Sequence, residues 1–433
     1  MTMAVIDLQV FICSKPAGIV HQDDAGLASF QYDDDYQGIP LSLSMPISNR
    51  RYGHDVVRPF LFGLLPDIER QRRAIASEYD VSPNNPVALL EHIGLDCPGG
   101  VQFCRVGEES ILLARKDDYR PLSDHEITLK LKAIREDVDT SWMGQAESWS
   151  LGGEQGKFAL SFHDGTWCEC LGSSPTTHIF KNGVVGFRLQ ALNEYVCMRT
   201  AQRSGIPTAS VSYRFFGDEP ALIVERYDRV RMQDGTIERL HQEDLCQSLS
   251  VMPNQKYTAD GGPTAHDILN LLAHTSNRQL NLQTFTQILF FNYLIGAPHA
   301  HAKNYSVLLG NQGAALLARM YDVASALPYE GLRHKGRLAM AIGGENRFGR
   351  VGSGAIHRYL GNSNPKLAAA LEKAGFTETF CLECMADLAQ RIPTDMAAVF
   401  DETVAEKIPG ADELRERLLG PVEKSCKATL ALL

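Results

Sequence analysis

The spacing of apolar and polar positions divides this chain into unlike parts. Runs that alternate with a period near two, as strands with one buried face do, occur at residues 4–13, 27–32 and 41–45. A stretch of helical spacing then opens at Pro59 and carries Phe60, Leu61, Leu64 and Leu65. Residues 116–147 are polar and helix-friendly, with Pro121, Ser123 and Asp124 as start signals. Strand patterning returns over residues 150–228. There, residues 158–162 and 166–169 flank His163-Asp164-Gly165, and an Asp-Gly step between two such runs favours a tight hairpin. Past Asp228 the period changes to three and four, predicting helices over residues 267–272, 282–295, 365–374, 380–389 and 396–404. Sheet precedes helix, which makes the expected class α+β, and no internal repeat is visible.

Composition narrows the function classes. With 433 residues the chain has room for several domains, and a net charge of −10 argues against broad electrostatic attachment to nucleic acid or an anionic membrane, leaving only a local basic patch open. The longest apolar run, residues 288–297, is interrupted by Asn292 and Gly296 and is too short to span a bilayer. The opening residues alternate like a strand, carry Asp7 and lack a basic leader, so a cytoplasmic protein is expected. Ten cysteines then read as reduced thiols. Cys381 and Cys384 have a spacing that suits zinc or redox chemistry, but no second pair follows, and one buried helix face explains them as well. Cys168 and Cys170 should share one face of a strand. Asp33-Asp34-Asp35 reads as a solvated turn.

Candidate chemistry begins at Leu151-Gly152-Gly153-Glu154-Gln155-Gly156-Lys157, a glycine-rich loop that leads into the expected hairpin. Backbone N–H groups in such a loop can approach an anion unobstructed. Leu151 stands where a Walker loop has its first glycine, Phe158 stands where it has Ser or Thr, and a strand follows where a Rossmann loop needs a helix. A glycine-rich hairpin covering ATP phosphates is the protein-kinase arrangement, and a plain turn is the alternative. Residues 177–181 end in Lys181, placed to reach α/β-phosphates from a third strand, and Glu194, opening a helical pattern, is placed to hold that lysine or only to favour a helix start. Residues 221–228, apolar and then polar, suit a hinge beside an adenine ring.

Phosphoryl transfer also needs a base near the acceptor hydroxyl and oxygen ligands for Mg²⁺. Residues 292–306 contain His299-Ala300-His301-Ala302-Lys303-Asn304, and Asp322 follows beyond two short strand patterns, residues 305–309 and 315–321. In a kinase catalytic loop the base precedes the metal-binding Asn by five residues, which puts His299 in the base position.

Taken with Leu64-Leu65-Pro66-Asp67, Ile93-Gly94-Leu95-Asp96, Ser150-Leu151-Gly152-Gly153, Pro175-Thr176-Thr177-His178, Val224-Glu225-Arg226-Tyr227-Asp228-Arg229 and His301-Ala302-Lys303-Asn304, the chain resembles the HipA family of bacterial serine/threonine kinase toxins over nearly its whole length. The resemblance implies a protein-kinase-like bilobal fold with an extra N-terminal α/β subdomain (residues 1–110), a kinase N-lobe core (111–228) and an all-helical C-terminal lobe (229–433). ATP and Mg²⁺ are the implied cofactors. A HipB-type helix-turn-helix antitoxin is the implied partner, with operator DNA bound chiefly through it and an aminoacyl-tRNA synthetase as the kind of protein substrate. By motif, Gly152, Gly153, Gln155, Lys157 and Lys181 would contact phosphate, and Glu225, Tyr227 and Asp228 would frame the adenine. Asn304 and Asp322 would hold the metal, Lys303 would face the transferred phosphate or pair with a carboxylate, and Ser150 would be an autophosphorylation site.

One position departs from the family, which has Asp where this chain has His299. A neutral imidazole can accept a proton but supplies no negative charge, so nucleotide binding should survive and transfer should fail or nearly fail. The substitution is either natural, in a non-catalytic nucleotide- and antitoxin-binding protein or co-repressor, or an inactivating change that lets a toxic kinase be produced; the otherwise intact motifs favour the latter. A small-molecule kinase of aminoglycoside type is a further reading, and the N-terminal 110 residues speak against it.

Overall fold

A computed structural model describes residues 4–114, 117–136, 149–153, 155–333, 335–361 and 364–433. The chain forms two compact units, each assembled from separate stretches: Met1–Asn182 with Phe215–Asn254 and Val307–Ala314, and Gly183–Arg214 with Gln255–Ser306 and Ala315–Leu433.

In the first unit, strand Ile6–Ile12 lies between Lys15–Gln22 and Val101–Arg105, and Ala28–Tyr32 and Arg51–Tyr52 extend the sheet on the far side of Lys15–Gln22. Alternation along Ile6–Ile12 buries Leu8, Val10 and Ile12 on one face, while Phe11 joins Cys104 and Leu112 on the other. A second sheet runs in the order Glu219–Glu225, His178–Lys181, Phe158–His163, Thr166–Leu171, Asp118–Pro121, with the end of Val211–Phe216 at its edge. Asp164 and Gly165, both at positive φ, close the expected hairpin between His163 and Thr166. One continuous apolar core joins the two sheets, from Leu8 and Phe30 through Phe60 and Leu90 to Phe158, Phe180 and Phe216.

The second unit is mainly helical: Gln190–Arg203, Ala265–Ala273, Arg278–Leu294, Ser353–Tyr359, Pro365–Lys373, Glu378–Ala405 and Ala411–Leu430. Beyond Asp228 the helices are accompanied by short strands such as Arg337–Ile342 and Glu345–Arg347. Among the described residues no helix is long and apolar enough to cross a membrane.

Three local expectations change. Residues 41–45 form only an isolated Ser42–Met45 bridge, because the Tyr32 phenol takes the groups a partner strand would use: its hydroxyl donates to the Met45 carbonyl at 2.6 Å and accepts from the Leu41 N–H at 2.7 Å. The helix expected to open at Pro59 begins at His54 and contains that proline. The two helices expected at residues 380–389 and 396–404 are one, Glu378–Ala405, whose buried face continues past Pro393 through Ile392 and Met396. Cys381 and Cys384 lie buried on this helix, where burial raises both thiols. No cluster of three metal-ligating side chains occurs among the described residues. Cys168 and Cys170 are buried in strand Thr166–Leu171, as expected.

Candidate active site

The glycine-rich loop is fastened to the N-terminal part of its own unit. Trp149 bridges to Asp96 and Gly153 to Pro66, both in parallel fashion. The Ser150 N–H donates to the Asp96 carbonyl at 2.9 Å and the Asp67 N–H to the Gly153 carbonyl at 3.1 Å. The Ser150 hydroxyl donates to the Leu64 carbonyl, which leaves Ser150 only 1% exposed. Gly153 sits at φ +103°, and a Cβ there would meet Lys157 Nζ at 2.6 Å, so a side chain would strain the backbone and displace the lysine. Gly152, Gly153, Gln155 and Lys157 therefore share one loop, whose Glu154 lies outside the described residues. Lys181 is buried at the end of its strand, opposite Leu222.

At the end of Glu219–Glu225 the chain enters a buried ion cluster. Asp96 accepts from Arg229 at 2.8 Å, from Arg239 at 2.8 Å and from the Thr176 hydroxyl at 2.7 Å, with Arg226 at 3.4 Å. Asp228 accepts from Arg226 at 2.8 Å, from Arg229 at 3.0 Å and from the Gly99 N–H at 2.6 Å. Burial alone would raise both carboxyls, but the guanidiniums outweigh it and hold each below its ordinary value. Asp228, expected to frame a nucleotide, is instead 3% exposed, with both oxygens engaged in this cluster. Glu225 is exposed at the strand end, and the Tyr227 hydroxyl donates to Gln242 Oε1.

In the second unit, helix Arg278–Leu294 leads into the residues expected to form a catalytic loop. It ends at Gly296, φ +68°, where a Cβ would meet Leu327 Cγ at 2.6 Å; glycine is needed for both reasons. A single 3₁₀ turn, Ala302–Asn304, follows and is buried. Asn304 Nδ2 lies 3.4 Å from Asp322 Oδ2 and 3.3 Å from the Asp322 carbonyl, so the two expected metal ligands meet although eighteen residues separate them. Asp322 has φ +60°, a left-handed conformation that costs a non-glycine residue energy and clusters at functional sites. Backbone bonds from Met320 N–H to the Pro207 carbonyl at 2.8 Å and from Ala209 N–H to the Met320 carbonyl at 2.9 Å hold the approach to it. The Tyr321 hydroxyl reaches the Lys303 carbonyl at 2.8 Å and Ser306 Oγ at 2.6 Å, tying the two sides of the site together.

His299 is exposed, with Nδ1 3.3 Å from the Tyr257 hydroxyl. His301 is buried edge-on to the Tyr257 ring at 4.8 Å, and its N–H donates to the His299 carbonyl at 2.7 Å. Lys303 is 8% exposed. Glu194 is buried within helix Gln190–Arg203.

Sequence reasoning missed three contributors. Asn193 donates to the Ser325 carbonyl at 2.7 Å and accepts from the Ser325 N–H at 3.2 Å, linking that helix to the segment after Asp322. Tyr257 contacts both histidines of the loop. Arg72 supports the turn against which the glycine-rich loop is paired. None is marked by a local sequence pattern of its own; Asn193 adjoins Glu194, the residue whose chemistry the sequence makes visible.

A sheet with a glycine-rich hairpin, a mainly helical unit and an Asn–Asp pair brought together beside a buried turn define a protein-kinase-like fold with an added N-terminal α/β subdomain. Residues 8–104 match the HipA N-terminal domain and residues 149–396 the HipA-like C-terminal domain. The chain belongs to the HipA family. It is 36% identical over 349 residues to the Sinorhizobium fredii protein Y4mE, named as a kinase, covering 79% of this chain and 82% of that protein. It is 29% identical over 383 residues to the serine/threonine-protein kinase toxin HipA of Shewanella oneidensis, covering 85% and 83%. The solved complex of the Shewanella oneidensis MR-1 HipA with HipB and operator DNA contains a chain that superposes with a TM-score of 0.81 at 25% identity, covering 98% of each.

Proposed function

We propose that this chain is an ATP-dependent serine/threonine protein kinase toxin whose phosphoryl transfer is impaired by His299. The observation that carries the reading is the approach of Asn304 to Asp322 on a buried loop, with Asp322 held in a left-handed backbone conformation. A carboxamide oxygen and a carboxylate are hard donors, and Asn304 and Asp322 would hold Mg²⁺ through two such side chains. When bound, that ion supplies neutralisation of phosphate charge. Within the first unit, Gly152, Gly153, Gln155, Lys157 and Lys181 are the proposed phosphate contacts, with Glu225 and Tyr227 at the adenine; Asp228 supports them through the ion cluster. Lys303 is the proposed cation for the transferred group. Ser150 is the proposed autophosphorylation site, and its hydroxyl must first leave the Leu64 carbonyl. Added phosphate charge on that loop would then oppose nucleotide binding. A helix-turn-helix antitoxin of the HipB type is the proposed partner, with operator DNA reached through it.

His299 supports a second reading, a nucleotide-binding pseudokinase, because its exposed ring is bonded to Tyr257 and brings no anionic base to the loop. One experiment separates the two. Binding of mant-ATP with Mg²⁺ is expected in the wild type and lost in Asn304→Ala and Asp322→Ala. His299→Asp should raise ATP-dependent autophosphorylation by ~10²–10⁴. Nucleotide binding with no gain on His299→Asp would establish the pseudokinase reading, and absence of Mg²⁺-dependent binding would refute both.

A further inference from the structure

We propose that Arg72, in the N-terminal domain, is a positioning residue for the glycine-rich loop, acting through the Pro66–Asp67 turn; the proposal rests on the reading of that loop as the nucleotide-binding one. Arg72 belongs to helix Glu69–Glu78 yet is 9% exposed. Its Nη1 donates to the Pro66 carbonyl at 2.6 Å and to the Asp67 carbonyl at 2.7 Å, and its Nε to the Pro83 carbonyl at 3.0 Å. The guanidinium also lies 5.5 Å from the centre of the Phe62 ring. Three main-chain carbonyls thus converge on one planar cation, and the donors of a guanidinium fork can serve all of them at once.

What this fork holds in place is the edge on which the loop is paired. Pro66 bridges to Gly153, and the Asp67 N–H donates to the Gly153 carbonyl. Gly153 in turn leaves room for Lys157 Nζ, which a Cβ would meet at 2.6 Å. A line of contacts therefore runs from Arg72 through two backbone units to the glycine that sets the lysine's place. Arg73, its neighbour on the helix, faces solvent and pairs with Glu69 at 2.6 Å, which makes it a matched control.

The test uses the full chain with Arg72→Met, Arg72→Lys and Arg73→Met, read by mant-ATP·Mg²⁺ affinity and by amide hydrogen exchange. Arg72→Met should weaken mant-ATP by about tenfold or more, Arg72→Lys by less, and Arg73→Met not at all. In Arg72→Met, the amide of Asp67 and those of residues 151–153 and 155–157 should gain exchange together, while strand Glu219–Glu225 stays protected. Should Arg72→Met unfold the chain, Arg72→Lys carries the same comparison. Loosening confined to the Asp67 amide, or unchanged affinity with a loosened loop, would overturn the proposal. If the wild type binds no mant-ATP, the nucleotide reading fails, and the exchange result still decides whether Arg72 holds the loop.

Discussion

Replacing Asp96 by Asn tests whether the buried ion cluster sets the stability of the first unit. Asp96 is 1% exposed and faces Arg226, Arg229 and Arg239, with Asp228 as the cluster's second anion. Neutralising it changes three cations against two anions into three against one, in a place where water cannot compensate. Removing one partner of a buried ion pair typically costs about 3–5 kcal/mol, a large share of the about 5–15 kcal/mol by which folded proteins are stable. Trp149 and Trp167 lie in this unit, so tryptophan fluorescence in urea reports it. With a slope of about 2–3 kcal/mol per molar, the midpoint should drop by about 1–2.5 M at unchanged slope. Adding Arg239→Met should recover part of the loss, because it removes one of the unmatched cations. The folded-state value of Asp96 lies below the ordinary 3.8, so its contribution is present above that value and disappears only as acid drives the pH below it. A midpoint shift under about 0.3 M, or a further loss on adding Arg239→Met, would refute this account of the cluster.

Two further outcomes follow from single residues. Glu243 accepts from the Leu43 N–H at 2.8 Å and from Ser248 at 2.9 Å, and burial pushes its carboxyl up to about 7 from 4.5. A raised carboxyl favours folding below its unfolded value and loses that advantage as pH climbs through the folded one. The stability of wild type relative to Glu243→Gln should therefore fall between pH 4.5 and about 7, by roughly 3 kcal/mol at 1.36 kcal/mol per unit, in urea titrations across that range. At Asp322 the backbone φ of +60° can be tested apart from ligation: Asp322→Asn and Asp322→Val should both lose Mg²⁺-dependent nucleotide binding, but the β-branched valine should lower the melting temperature more. Equal melting temperatures would count against strain at that residue.

Much of the fold was legible because its signals are local. The hairpin around Asp164-Gly165 and strands Ile6–Ile12, Ala28–Tyr32 and His178–Lys181 follow from two-residue alternation and turn chemistry. The approach of Asn304 to Asp322 was legible from spacing and from the family resemblance together. Other features rest on distant contacts. Residues 41–45 look like a strand until Tyr32 takes their hydrogen bonds, and Pro393 looks like a helix boundary until the buried face on both sides holds one helix through it. Asp228 reads as a ligand beside a hinge because sequence does not reveal that Arg226, Arg229 and Gly99 close on it. Arg72 was invisible for a different reason: its partners are nearby main-chain carbonyls, which carry no side-chain signature.

The ion cluster also bears on the order in which a ribosome releases this polypeptide. Asp96 emerges well before Arg226, Arg229 and Arg239 have been translated, so its place in the interior lacks the counter-charges that make burial tolerable. The N-terminal subdomain should therefore settle fully only once the segment ending near Arg239 has left the ribosome, which would tie its maturation to elongation far downstream.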